Sequence, residues 1–87
     1  MNTKKQVSIL EKILDRYEDE TFLKADGFDD AIIGVDDQRM KLIYSTRKCV
    51  EVLMKDMTEE EAWDYFHFNV AGSIYEAGPI FCSDDFL

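Results

Sequence analysis

The sequence predicts an α+β protein: a small, three-stranded, mainly antiparallel sheet with three helices packed on it, in the order α-β-β-α-α-β. Three observations carry that expectation. Apolar residues recur at helical spacing in three separate stretches, which calls for three amphipathic helices. Two short runs rich in β-branched residues sit either side of a loop of hairpin length. A third apolar run, Pro79-Ile80-Phe81-Cys82, follows the last helical stretch.

In residues 3–20, Val7, Leu10, Leu14 and Tyr17 hold helical spacing, and Ile9 and Ile13 widen the stripe. Asn2 or Thr3 is the expected cap, and the opposite face mixes both signs of charge as a solvated face does. Ala25-Asp26-Gly27 then signals a turn. Ala31-Ile32-Ile33-Gly34-Val35 is too short and too β-branched for a helix and reads as a buried strand, with Gly34 marking a bulge or a close backbone approach. Met40, Leu42 and Tyr44 alternate with Lys41, Ile43 and Ser45 in a second strand, joined to the first by Asp36-Asp37-Gln38-Arg39. Ser45 or Thr46 caps the next helix, whose expected stripe is Val50, Leu53, Met54 and Met57.

The densest signal is residues 58–75, with the chain's single Trp and single His. Thr58 and Glu61 have capping-box spacing, Met57 and Ala62 hold the staple positions, and three first-turn glutamates suit the positive end of the helix dipole. Trp63, Phe66, Val70 and Ile74 form the inward stripe, and the helix is expected to stop between Gly72 and Gly78, where glycine terminates helices readily. The third strand follows. Its leading proline suits a strand start or an edge. Residues 83–87 read as an acidic tail with two apolar residues at its tip.

At 87 residues the chain is expected to be a single domain, long enough for a modest core without covalent staples. No apolar run reaches the roughly 20 residues of a membrane span, and Lys4-Lys5 is not followed by a signal-peptide core, so a cytoplasmic location is expected. Cys49 and Cys82 are too few and too far apart for a zinc site and read as free thiols.

The net charge of −9 is divided unevenly. Residues 1–55 carry ten bases against eleven acids, whereas residues 56–87 carry eight acids and no base. Phosphate contacts need Lys and Arg, so this second half argues against direct nucleic-acid binding and for a basic protein partner. Asp56, Glu59, Glu60, Glu61 and Asp64 would span about 12 Å if helical throughout, about one charge per 2.4 Å. That density falls between the ~1.7 Å axial charge spacing of duplex DNA and the ~3.4 Å of one strand, so the patch competes locally for a basic groove. The plainer explanation of Glu59 to Glu61, helix-start electrostatics, covers much of the same cluster.

Other chemistry finds little support. His67 has Asp64 one helical turn away, but no nucleophile, second His or paired Cys stands at ligand spacing, and a packed or partly exposed imidazole is the simpler reading. The pairs Asp29-Asp30, Asp36-Asp37 and Asp84-Asp85 lack the spacing of a calcium loop and read as turn formers and solvated strand ends. No phosphate-cradling Gly loop or nucleophile elbow is present. No catalytic residue, no metal ligand and no cofactor is therefore expected. Asn69 reads as a half-buried amide bonding the hairpin backbone, and Gly72 as a close backbone contact.

Several phrases carry a family resemblance. Asp26-Gly27-Phe28-Asp29-Asp30-Ala31-Ile32-Ile33-Gly34-Val35, then Tyr44 and Cys49-Val50-Glu51-Val52-Leu53-Met54, resemble a set of small, mostly uncharacterised bacteriophage proteins. So do Phe66-His67-Phe68-Asn69-Val70-Ala71-Gly72 and Pro79-Ile80-Phe81. The resemblance implies a phage or prophage origin and work in a host bacterial cytoplasm, and it brings no reaction or cofactor with it. Together, charge and resemblance predict a non-enzymatic interaction protein that binds a basic host protein, as an inhibitor of a host nucleic-acid-binding or defence protein. The expected contact residues are Asp56, Glu59, Glu60, Glu61, Asp64, Tyr65 and Phe68. The alternatives are a self-associating module that pairs strand edges into a homo-oligomer, and a small-ligand or metal-binding protein.

Overall fold

The computed structural model describes residues 8–71 and 78–86. In order, it contains α1 (Ile9–Arg16), β1 (Ile32–Asp36), β2 (Lys41–Ser45), α2 (Thr46–Leu53), α3 (Glu59–Tyr65) and β3 (Ile80–Cys82). A 3-10 turn (Asp29–Ala31) leads into β1, and a π-helical turn (Phe66–Val70) continues α3. This is the α+β class and the element order that the hydrophobic patterning predicts.

The sheet order is β1-β2-β3. β1 and β2 are antiparallel neighbours, but β3 joins β2 in parallel, so the sheet is mixed. The parallel pairing has a connectivity cause: two helices and the π turn intervene between β2 and β3, the length of crossover that a parallel pair requires. The register of β1 on β2 slips between Ile32 and Gly34, which places the expected irregularity at this glycine. A Cβ on Gly34 would meet nothing within 4 Å, so the bulge rather than a close approach is the feature here. In the hairpin turn, the Asp36 carboxylate accepts from the backbone N–H groups of Gln38 and Arg39, and Met40 takes φ 55° before the chain enters β2.

α1 is shorter than the periodicity implies. Asn2, Thr3 and Val7 lie outside the described residues, and the described helix is capped at Ser8 by a complete capping box with Glu11. Its buried residues are Leu10 and Ile13, with Tyr17 packed beside them, while Ile9 and Leu14 face outward. In α2 the cap is Ser45, and Thr46, Cys49 and Val50 are buried with half-buried Leu53 completing that face. Met54, placed in the core stripe by spacing, is instead exposed, because the helix ends at Leu53 and Met54 is already its cap residue.

The core brings Leu42, Tyr44, Ile32, Ala31, Val50, Ala62 and Phe66 together. An aromatic run crosses it from sheet to helix. Tyr44 lies 5.3 Å from Phe81, Phe81 meets Phe66 edge-on at 5.4 Å, and Phe66 meets Trp63 edge-on at 6.4 Å. The Tyr44 hydroxyl, deep in this core, accepts from the Ala25 N–H at 2.8 Å. That bond satisfies a polar atom which burial would otherwise penalise. It also pins the loop that precedes β1 to the middle strand. Among the described residues no helix is long and apolar enough to cross a membrane.

A tail residue joins the core from an unexpected direction. Asp84, expected as part of a solvated strand end, is only 7% exposed and accepts from the Ser45 hydroxyl at 2.8 Å. Ser45 Oγ in turn accepts from the Lys48 N–H, so the tail backs up the cap of α2. The Ser45 hydroxyl, chiefly, holds the Asp84 carboxyl below its usual range against the opposing effect of burial, with smaller help from backbone N–H groups and Arg47. The carboxylate is covered by its neighbours without lying deep.

Candidate functional site

The aromatic run sets how α3 and the π turn stand on the molecule, and thereby which side chains they turn outward. α3 begins as its sequence dictates. The Thr58 hydroxyl accepts from the Glu61 N–H at 3.2 Å, and the Glu61 carboxylate accepts from the Thr58 N–H at 3.0 Å. Ala62 and Phe66 point into the core, and Trp63 and Val70 are half-buried. Ile74 lies outside the described residues, as does Gly72.

After Tyr65 the helix widens. The Ala71 N–H donates to the Phe66 carbonyl, an i→i+5 bond, in place of the α-helical pattern. In a regular helix Asn69, three residues after Phe66, would turn toward the core. Here Val70, four residues after Phe66, keeps the inward side with Ala71, and His67, Phe68 and Asn69 form three consecutive exposed residues. The expectation of a half-buried Asn69 is corrected: the residue is exposed. Single π turns of this kind recur at functional sites.

The contact residues expected from the sequence are all exposed: Asp56, Glu59, Glu60, Glu61, Asp64, Tyr65 and Phe68. Phe68 is 79% exposed and Tyr65 45%, which is unusual for large aromatic side chains. Asp56 lies in the turn between α2 and α3, so the acidic residues are not helical throughout. Among the described residues the ion pairs are Lys24–Asp29, Arg39–Asp36, Arg47–Glu51 and Arg47–Asp84, and none involves these five acids. Among the described residues, the Glu61 carboxylate accepts from the Thr58 N–H in the cap, and the other four make no ion pair.

Two adjoining hollows lie beside these residues. The larger, of about 520 Å³, runs from the residue 24–28 loop across the end of α2 to Val70. The second, of about 440 Å³, lies against the outer side of α3 and the π turn. Met57, Tyr65 and Asn69 wall both, so the two form one groove. Asp56, Glu61, Asp64, Tyr65 and Phe68 line it, whereas Glu59 and Glu60 do not. Phe28, Leu53 and Met57 are apolar members of its lining, of which the sequence treats Leu53 and Met57 only as core. The signal that would find them is tertiary: buried Phe28 and half-buried Leu53 and Met57 meet there from separate segments.

His67 stacks on Trp63 at 5.6 Å and meets Phe66 edge-on at 5.8 Å, so the imidazole is held as an aromatic neighbour. Cys49 is fully buried, and that burial, with a smaller effect from Asp84, pushes its thiol up to about 12. Such a thiol is protonated and inert at neutral pH. Both cysteines are free. Among the described residues no group of three or more His, Cys, Asp or Glu side chains is placed to share a metal ion. No protein-family model, no curated protein and no solved structure matches the chain.

Proposed function

We propose that the protein is a non-enzymatic interaction module that binds a basic protein through the surface formed by Asp56, Glu59, Glu60, Glu61, Asp64, Tyr65 and Phe68. One observation carries the reading. Five carboxylates without an ion-pair partner among the described residues stand beside two exposed aromatic rings. Unpaired charge of one sign steers an oppositely charged partner, and exposed aromatics are the residue class that anchors interfaces. On the resemblance of the Asp26, Phe66 and Pro79 phrases to small bacteriophage proteins, the partner is a host protein in the bacterial cytoplasm. Nucleic-acid-binding and defence proteins, whose working surfaces are basic, are the class of target, and occupation of that surface would inhibit them.

The test is retention of a host protein from bacterial lysate on immobilised wild-type protein, at low and at high salt. The expected outcome is a partner held at low salt, released at high salt, and lost when Asp56, Glu59, Glu60, Glu61 and Asp64 are changed to Ala. A wild type that holds nothing the Ala variant does not also hold overturns the reading.

A second reading rests on the sheet order. β3 ends the sheet, and its three residues are half-buried. An edge strand of this kind pairs readily with a second copy. A strictly monomeric mass at micromolar concentration rejects that self-associating form.

A further inference from the structure

We propose that the groove beside α3 is the anchor site for a basic amphipathic helix of the partner, with two apolar side chains seated in the adjoining hollows and Lys or Arg flanking them. The inference rests on the acidic-surface reading and deepens it, from a charged patch to a shaped site. Part of the lining is apolar: Phe28, Leu53, Met57 and Val70 border the larger hollow among polar neighbours. The rim is anionic. Asp26 and Asp56 stand at the larger hollow, Glu61 and Asp64 at the smaller. One cation, Lys24, reaches this lining, and its ammonium is held by the Asp29 carboxylate at 3.2 Å.

That combination selects the occupant. Four carboxylates around a partly apolar lining repel anionic ligands and do nothing for a neutral one, but they pair with positive charges that flank an apolar anchor. Volumes of about 520 and 440 Å³ lie within the range of roughly 300–1,000 Å³ that ligand pockets span, ample for an apolar side chain in each. Because the hollows share Met57, Tyr65 and Asn69 as walls, the two anchors must be close together. A helix presents such a pair at i and i+4, about 6 Å apart. Exposed Phe68 borders the smaller hollow, where it covers the seated helix from the side.

Two labelled helical peptides of equal positive charge test the inference by fluorescence anisotropy. One carries Leu at i and i+4 among Lys and Ala residues; in the other both Leu are Ser. Wild type is expected to bind the Leu peptide about tenfold more tightly, the effect of burying part of two Leu side chains. Asn69→Trp, which fills the shared wall, and Met57→Gln are expected to abolish that preference, bringing the affinity for the Leu peptide down to that for the Ser peptide. A measurement on the unaltered protein stands beside the variants. Titration with the Leu peptide should shift the methyl resonance of Met57 and leave that of Met40, in the hairpin turn, in place. Equal affinity for the two peptides, or an unmoved Met57 methyl, overturns the groove as the anchor site and leaves the acidic-surface reading standing. Binding of neither peptide at low salt overturns both.

Discussion

Asp84 shows how one side chain ties the end of the described chain to its middle. Its carboxyl is held below the ordinary value chiefly by the Ser45 hydroxyl. A carboxyl whose value is lower in the folded than in the unfolded state stabilises the fold when ionised. The contribution is complete above the unfolded value near 3.8 and fades as pH falls through the lower, folded one. Asp84→Asn should therefore be less stable than wild type at pH 7, with the difference shrinking below about pH 4. Parallel thermal melts across pH measure that difference and cancel the contribution of the remaining acids. The cysteines give a second residue-scale expectation. A thiol reagent should modify half-exposed Cys82 in the native protein and reach fully buried Cys49 only after denaturation, a difference of one labelled site by mass spectrometry. Rapid labelling of Cys49 under native conditions would contradict its place in the core.

At the scale of elements, α3 is short, and a seven-residue helix depends on its ends. Thr58→Ala removes the hydroxyl that accepts from the Glu61 N–H and should cost about 1 kcal/mol of stability, read by denaturant titration. The same box was legible in the sequence, since Thr58 and Glu61 satisfy each other within one turn. So was a side-chain cap at Ser45, which accepts from the Lys48 N–H. What lay beyond local reading was the π turn. Phe66 to Val70 carry no residue type that demands an i→i+5 bond; in the fold Phe66 packs on Phe81 and Val70 on the core. Asn69 ends exposed in the groove wall and not half-buried. Met54 was misplaced for a related reason: periodicity gives the face of a helix but not the residue at which it ends.

For the whole molecule, a net charge of −9 with five acids clear of any described ion pair makes self-repulsion a standing cost of the compact state. Raising salt from roughly 0.01 M to 0.1 M shortens the screening length from ~30 Å to ~10 Å. The melting temperature should then rise. A fall would mean that the few exposed ion pairs, each worth little, outweigh the repulsion. The same screening should weaken binding to a basic partner, so salt moves stability and affinity in opposite directions.

The residues alone determined the α+β class, the order of the elements, the Thr58–Glu61 capping box and the acidic character of the second half, because each depends on neighbours within a few positions. The exposure of Asp56, Glu61, Asp64, Tyr65 and Phe68 was also readable, from charge and from their places off the apolar stripe. Tertiary structure alone decided the parallel pairing of β3, the seat of Asp84 against Ser45 and the groove lined by Phe28, Leu53 and Met57. Ser45 and Asp84 stand 39 positions apart, and Phe28 and Met57 come from separate segments. No local pattern encodes where such groups meet; packing around Tyr44, Phe66 and Phe81 brings them together.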